Sequence, residues 1–192
     1  MIELRPGETL ALHAVAPATT VLRVGFEWDA VLNNRPFEID LATFLLDARD
    51  RTPGDRYLVF YNNPRSPCRT VLLHQSDDGA SGDSAVAATF TVDLARVPYG
   101  IRRLSVAAVI YDAAARRQHF GQVRCAHLQL GDAATTAGIA RYGLPVGECG
   151  AATALLAGEL RRAADGWAFA AGRDGVEGGL AALCRRFGLA VR

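Results

Sequence analysis

The chain contains no lysine, no long apolar run and no closely spaced cysteine pair. About 20 consecutive apolar residues are needed to cross a bilayer as a helix, so the sequence predicts no membrane insertion. The N-terminus, M-I-E-L-R-P-G-E, lacks the basic and apolar regions of an export signal. Cys68, Cys125, Cys149 and Cys184 form no C-x-x-C motif and are expected to be reduced. These features predict a cytoplasmic protein.

Strong charge and common catalytic motifs are also missing. The net charge is +1 and the arginine pairs are scattered, so we expect no nucleic-acid partner. The sequence has neither G-x-G-x-x-G nor G-x-x-x-x-G-K-S/T, and its four histidines lack the spacing of a zinc site. A hydrolase assembled from Cys68, His74 and an aspartate is the enzyme alternative, but no local motif indicates it. We therefore expect a non-enzymatic protein.

Short apolar segments separated by turns make up most of the 192 residues, which are enough for a single domain spanning residues 1–192. Two short strands are expected around the turn at 5–8. The further predicted strands are residues 21–26, 43–46, 57–61, 70–74, 89–94, 104–111, 123–130, 138–142, 152–161 and 167–171. We expect 57–61 and 70–74 to form a strand pair joined by an irregular loop, and 104–111 to be a central strand covered on both faces.

The tail is the segment with clear helical spacing. Leu180, Leu183, Cys184 and Phe187 recur at i, i+3, i+4 and i+7, and Gly188 is placed as a C-terminal stop. Residues 113–118 have room for one helical turn. The pattern therefore predicts a mostly β protein, a two-sheet β-sandwich with a short C-terminal α-helix and minor helical connections.

Several short motifs occur in one order along nearly the whole chain. They are G-x-x-W-D at 25–29, F-x-x-D-x-x-x-F-L-L at 37–46, F-Y-N-N at 60–63, F-G-Q-V at 120–123, I-A-R-Y at 139–142, G-E-L at 158–160, W-x-F at 167–169 and G-G-L-A-A-L-C-R-R-F-G at 178–188. In this order they resemble the TerD family of bacterial tellurite-resistance and general stress proteins, which bind calcium. The resemblance implies a two-sheet sandwich and makes the chain's acidic groups candidate calcium ligands.

The first acidic group is Glu38 and Asp40, which are two residues apart and so point to the same side of an extended backbone. In the family this position resembles a D-x-D-x-D-x-S run. Here Pro36 stands for the first acid and Ala42 for the serine, so two carboxylates remain. Asp29, at the end of a predicted strand, either completes the metal shell or caps a turn.

The second acidic group is Asp77, Asp78 and Asp83, in a glycine-containing polar loop. It resembles the family's G-D-N-x-T-G followed by G-D-D-E, with Ser84 in place of the second aspartate of the latter. Calcium takes six to eight oxygen ligands, and such a loop supplies both carboxylates and carbonyls. The ordinary alternative is that these aspartates only stabilise turns.

Asn62 and Asn63 are second candidates, because their amide oxygens suit a hard cation, although asparagine before Pro64 also favours a turn. Together the residues predict one or two Ca²⁺ ions bound by a stress-response protein. Cation binding would order the acidic loops for contact with another stress-response or TerD-like protein, including one in a membrane-associated complex. The alternative is a divergent TerD-like scaffold that has lost metal binding and acts through its surface alone.

Overall fold

A computed structural model describes residues 1–29, 31–32, 35–75 and 85–191. The strands in chain order are β1 (Ile2–Leu4), β2 (Thr9–Ala11), β3 (Val21–Asp29), β4 (Val31–Leu32), β5 (Arg35–Pro36), β6 (Ile39–Leu46), β7 (Leu58–Val59), β8 (Val71–Gln75), β9 (Ala85–Asp93), β10 (Arg103–Ile110), β11 (Cys125–Asp132), β12 (Gly138–Gly143), β13 (Ala154–Ala163) and β14 (Gly166–Val176). The helices are α1 (Leu12–Val15), α2 (Ala113–Arg116) and α3 (Gly179–Arg186), with 3-10 turns at Asp55–Tyr57, Phe120–Gln122 and Val146–Glu148.

The strands form two six-stranded sheets. The first has the order β1-β12-β11-β3-β9-β8 and the second β2-β14-β13-β10-β6-β7, while β4 and β5 pair separately. Among the described strands, all pairings are antiparallel except that of β1 with β12. This architecture confirms the predicted two-sheet sandwich with a short C-terminal helix.

The main core lies between the sheets. Phe26, Phe90 and Phe169 are completely buried there. Trp167 is nearly buried, and its indole N–H donates to the carbonyl of Leu94 at 3.0 Å, which satisfies its polar group. Burial of such large aromatic side chains provides much of the driving force for closing the sandwich.

The central strand β10 has both faces covered, as its sequence predicts. Leu104 and Val106 face the core between the sheets, whereas Ala107 and Val109 belong to a second apolar cluster beneath α3. Small and β-branched side chains allow the helix to approach this outer face closely. One strand therefore contributes to both apolar clusters.

The helix α3 packs on the outer face of the second sheet through Leu183 and Phe187. The Phe187 ring lies 4.8 Å from that of Phe44, centroid to centroid. Gly188 has a φ of +83°, and the N–H of Leu189 donates to the carbonyl of Cys184 at 2.8 Å. These features form a Schellman-type end, which confirms Gly188 as the helix stop. No helix in the described part of the chain is long and apolar enough to cross a membrane.

The predicted pairing of 57–61 with 70–74 is wrong. The strand in the first segment is only β7, which pairs with β6 in the second sheet, whereas β8 pairs with β9 in the first sheet. A tight turn follows β7, because Phe60 and Asn63 exchange backbone hydrogen bonds of 2.9 and 3.1 Å. The chain then crosses between the sheets. The two strands near the N-terminus also separate, β1 into the first sheet and β2 into the second.

Candidate functional site

The acidic pair lies at the start of β6. Ile39 and Leu41 enter the core between the sheets, so Glu38 and Asp40 lie on the opposite, outer side. The charge of Glu38 contributes to the raised pKa of Asp40, which fits two carboxylates on one side of the strand. The strand is held here by the N–H of Tyr111, which donates to the carbonyl of Glu38 at 2.9 Å.

Arginines neutralise two of the candidate ligands. A carboxylate oxygen of Glu38 lies 2.8 Å from the Arg116 guanidinium, and one of Asp29 lies 2.9 Å from that of Arg124. Both pairs are substantially exposed, and such pairs contribute about 0–1 kcal/mol. They are weak enough to exchange for a cation, but they also leave both carboxylates satisfied without one.

Asp40 differs from these two acids. Its side chain is half-buried and makes no hydrogen bond or ion pair with any other described residue. Burial, and secondarily the charge of Glu38, raises the pKa of Asp40 above its ordinary value. A half-buried carboxylate without a partner is unfavourable when ionised, and binding of a cation relieves this cost.

Asn63 holds the turn after β7. Its side-chain nitrogen donates to the carbonyls of Leu58 at 2.7 Å and Arg56 at 3.1 Å. Asn62 is exposed at the tip of the same turn. The turn interpretation thus accounts for Asn63, while metal ligation by either amide oxygen stays a prediction.

The second acidic group, Asp77, Asp78 and Asp83, lies outside the described residues. Ala85, directly after that segment, pairs with Trp28, the neighbour of Asp29. Within ranges 1–29, 31–32, 35–75 and 85–191, no three carboxylate, imidazole or thiol groups converge closely enough to hold a metal ion. Any calcium shell must therefore include ligands other than the described acidic side chains.

A groove of about 450 Å³ lies beside Asp40 on the outer face of the second sheet. Besides residues 40–42 of β6 and Thr153, three segments line it: the turn after β7 with Tyr61, the end of β10 and its turn with Tyr111 and Asp112, and the start of α3 with Leu180. Sequence reasoning missed this groove. The available signal was weak: two tyrosines, each the last residue of a predicted strand.

The cysteine and histidine side chains give no support to a hydrolase. Cys68 has hydroxyl neighbours, Ser66 at 3.4 Å and Thr70 at 3.0 Å. Burial would raise the pKa of Cys68, but these hydrogen bonds outweigh it and lower the pKa. The ring of His74 instead contacts the Thr91 hydroxyl at 3.0 Å. The pairing of a thiol with a histidine base that the hydrolase alternative requires is not formed by these two residues.

The fold and the acidic outer edge define a β-sandwich protein with candidate cation ligands. A family model described as the TerD domain matches residues 1–187. The chain belongs to the TerD family, whose named members include tellurium-resistance and general stress proteins.

Individual relatives agree with this assignment. The chain is 35% identical to the Bacillus subtilis (strain 168) protein YceE over 192 residues, covering 99% of each chain. It is 33% identical to the tellurium resistance protein TerD of an Alcaligenes species over 189 residues, covering 98% of this chain and 97% of the relative. A solved TerD homologue from Streptomyces coelicolor has the same fold, with a TM-score of 0.66 at 20% identity, over 85% of this chain and 94% of that one.

Proposed function

We propose that this protein is a non-enzymatic, cytoplasmic stress-resistance protein in which Ca²⁺ binding at the outer acidic edge prepares a surface for a partner protein. The observation that carries the proposal is the half-buried carboxylate of Asp40, which has no partner among the described residues. A bound divalent cation would supply the compensating charge. The partner is expected to be another stress-response or TerD-like protein, including one in a membrane-associated complex.

The available donors suit calcium better than a tellurium species. Carboxylate and carbonyl oxygens are hard ligands, which favour Ca²⁺ and offer little to a soft element. Asp40 would provide one ligand. Glu38 would provide a second after its carboxylate exchanges the Arg116 guanidinium for the calcium ion. Asp77, Asp78 and Asp83 are proposed to complete the oxygen set. The sequence is consistent with one calcium ion bound in this way, or with two ions of which the second is bound by Asp29.

Cation binding would act on the shape of the acidic edge. It would cancel the repulsion between Glu38 and Asp40 and release Arg116 from its present carboxylate. Ala85, which directly follows the second acidic group in the chain, pairs with Trp28 next to Asp29, so ligands from that group are within chain reach of this edge. A surface ordered in this way binds a partner at a smaller entropic cost.

A second candidate rests on the two ion pairs. Because Arg116 and Arg124 already neutralise Glu38 and Asp29, the folded edge has less need of a metal. In this candidate the protein is a TerD-like scaffold that contacts its partner without calcium. Its surface would be the same with and without the ion.

Calorimetric titration of calcium into chelator-treated protein separates the two candidates. We expect saturable heat for the natural protein, and a melting temperature that rises with free calcium because the ion binds the folded state. The Asp40→Asn variant should bind at least tenfold more weakly. Asp165→Asn is the matched control, because it makes the same chemical change in the exposed turn at 164–165.

The absence of heat and of a melting shift up to millimolar calcium would favour the scaffold instead. Equal calcium affinity in the Asp40→Asn and Asp165→Asn variants would overturn the proposed site, because calcium would then bind without Asp40.

A further inference from the structure

The groove beside Asp40 has the size and lining of a small-molecule site. Its volume of about 450 Å³ lies within the range of roughly 300–1,000 Å³ that holds small ligands. Ala42 and Val109 of the second sheet form an apolar floor, and Leu180 of α3 and Phe60 add apolar walls. Burial of an aliphatic or aromatic group is therefore favourable here.

The charged side chains of the groove have one sign. Asp40 and Asp112 line it, whereas no arginine or histidine is among the described residues that line it. Arg116 is a nearby cation that does not line the groove and pairs with Glu38 at 2.8 Å. An anionic ligand would therefore meet two carboxylates with no compensating side-chain charge, whereas a cationic ligand would gain from both.

Two tyrosines extend this preference. Tyr61 is 41% exposed and Tyr111 44% exposed, although both line the groove, so part of each side chain is accessible to a ligand. The Arg116 guanidinium already lies over the Tyr111 ring, 5.1 Å from its centroid. Ring faces carry negative charge density and attract cations, particularly organic ones that tolerate apolar surroundings.

We propose that this groove binds a small organic cation of the alkylammonium class. Its ammonium group would pair with the free carboxylate of Asp40 between Tyr61 and Tyr111. Its alkyl chain would lie on the apolar floor and extend towards Leu180. The amino end of α3 carries partial positive charge at that far wall, so the opposite orientation is disfavoured.

The groove proposal shares Asp40 with the calcium proposal but does not depend on it. A metal ion requires several converging oxygens, whereas an alkylammonium ion gains from one carboxylate, aromatic rims and an apolar floor. The tyrosines and Leu180 therefore belong to the organic-cation site alone. Substituting them tests this site without removing an acidic ligand.

The test is a titration of the full chain with pentylammonium at neutral pH in the presence of a calcium chelator. The Tyr61 and Tyr111 ring signals are followed by NMR. Pentanol has the same chain without the charge, and pentanoate has the opposite charge. We expect saturable shifts with pentylammonium and at least tenfold weaker binding of both control compounds. Nα-acetyl-lysine amide is added in parallel. Its binding would show that the groove accepts the side chain of a lysine within a polypeptide, and its failure to bind would restrict the ligand to small free amines.

Variants make the test specific. Asp40→Asn should weaken pentylammonium at least tenfold, and Tyr111→Leu about two- to fivefold through loss of the ring interaction. Tyr99→Leu is the matched control, because Tyr99 is 79% exposed and does not line the groove. Melting curves check that each variant folds. If Asp40→Asn does not fold, the proposal is decided by comparing the pentylammonium affinity of Tyr111→Leu with that of Tyr99→Leu.

Three results would overturn the proposal: no saturation below 50 mM, equal binding of pentanol, or equal effects of the Tyr111 and Tyr99 substitutions. Calcium affinity measured on Tyr111→Leu keeps the two proposals distinct. Unchanged calcium binding with weakened amine binding is expected. A protein that binds the amine but no calcium would refute only the proposed calcium function.

Discussion

Replacement of Phe187 tests how the C-terminal helix is held on the sandwich. The Phe187 side chain is 4% exposed, and its ring lies 4.8 Å from that of Phe44, which is fully buried. Truncation of a buried phenylalanine to alanine costs about 3–5 kcal/mol, because both burial and packing are lost. Against a total stability of about 5–15 kcal/mol for a typical domain, Phe187→Ala should be strongly destabilising.

The conservative variant separates the two contributions. Phe187→Leu keeps most of the apolar volume and loses the ring pair, which is worth about 0.5–1.5 kcal/mol beyond burial. We therefore expect a much smaller loss than for Phe187→Ala. The free energy of unfolding is measured by urea denaturation for the natural protein and both variants. Equal slopes of this free energy against urea concentration would confirm that the unfolding transition is otherwise unchanged.

The reasoning is refuted if Phe187→Ala lowers the free energy of unfolding by less than about 1 kcal/mol while the slope of that free energy against urea concentration is unchanged. It would mean that α3 contributes little to the stability of the sheets. Since Leu180 of the same helix forms one wall of the groove, a loosely held α3 would also weaken the case for a preformed ligand site.

Three further outcomes follow from individual residues. Gly158→Ala should cost about 1–3 kcal/mol in urea denaturation, since the new Cβ would collide with the ring of fully buried Phe169, and an unchanged midpoint would show that the ring can move. Asp132→Ala should lower the melting temperature at neutral pH. Hydrogen bonds, chiefly from the Thr135 N–H, lower the pKa of Asp132, so the difference should shrink as the pH falls through that lowered pKa. Asp40→Asn should raise the melting temperature in chelator at neutral pH. Burial raises the pKa of Asp40, so its ionised form disfavours folding and the gain should vanish on acidification.

Local patterns predicted individual elements better than their partners. The apolar run of β10 and the i, i+3, i+4, i+7 spacing around Leu183 each depend on side chains a few residues apart, and both predictions are confirmed. The pairing of β7 and β8 depends on which sheet offers the better partner. Proximity along the chain suggested the wrong answer, because the turn at Phe60 to Asn63 ends β7 and sends the chain to the other sheet.

The site shows the same limit. Alternation along a strand correctly placed Glu38 and Asp40 on one side. It could not reveal Arg116, 78 residues from Glu38, or Arg124, 95 residues from Asp29. These partners change the meaning of the acidic pattern, since an acid already paired with arginine is a weaker indication of a metal than a free one.

Asp40 connects the two proposed ligands and predicts competition between them. If calcium and an alkylammonium ion both require this carboxylate, saturating one must raise the apparent dissociation constant of the other. We expect pentylammonium affinity to fall as free calcium rises, by a factor that reaches tenfold when calcium is at about nine times its dissociation constant. The measurement is the NMR titration repeated at fixed calcium concentrations, with magnesium as a cation of equal charge. Calcium binding that leaves pentylammonium affinity unchanged would place the metal away from Asp40, for example at Asp29, whose neighbour Trp28 pairs with Ala85.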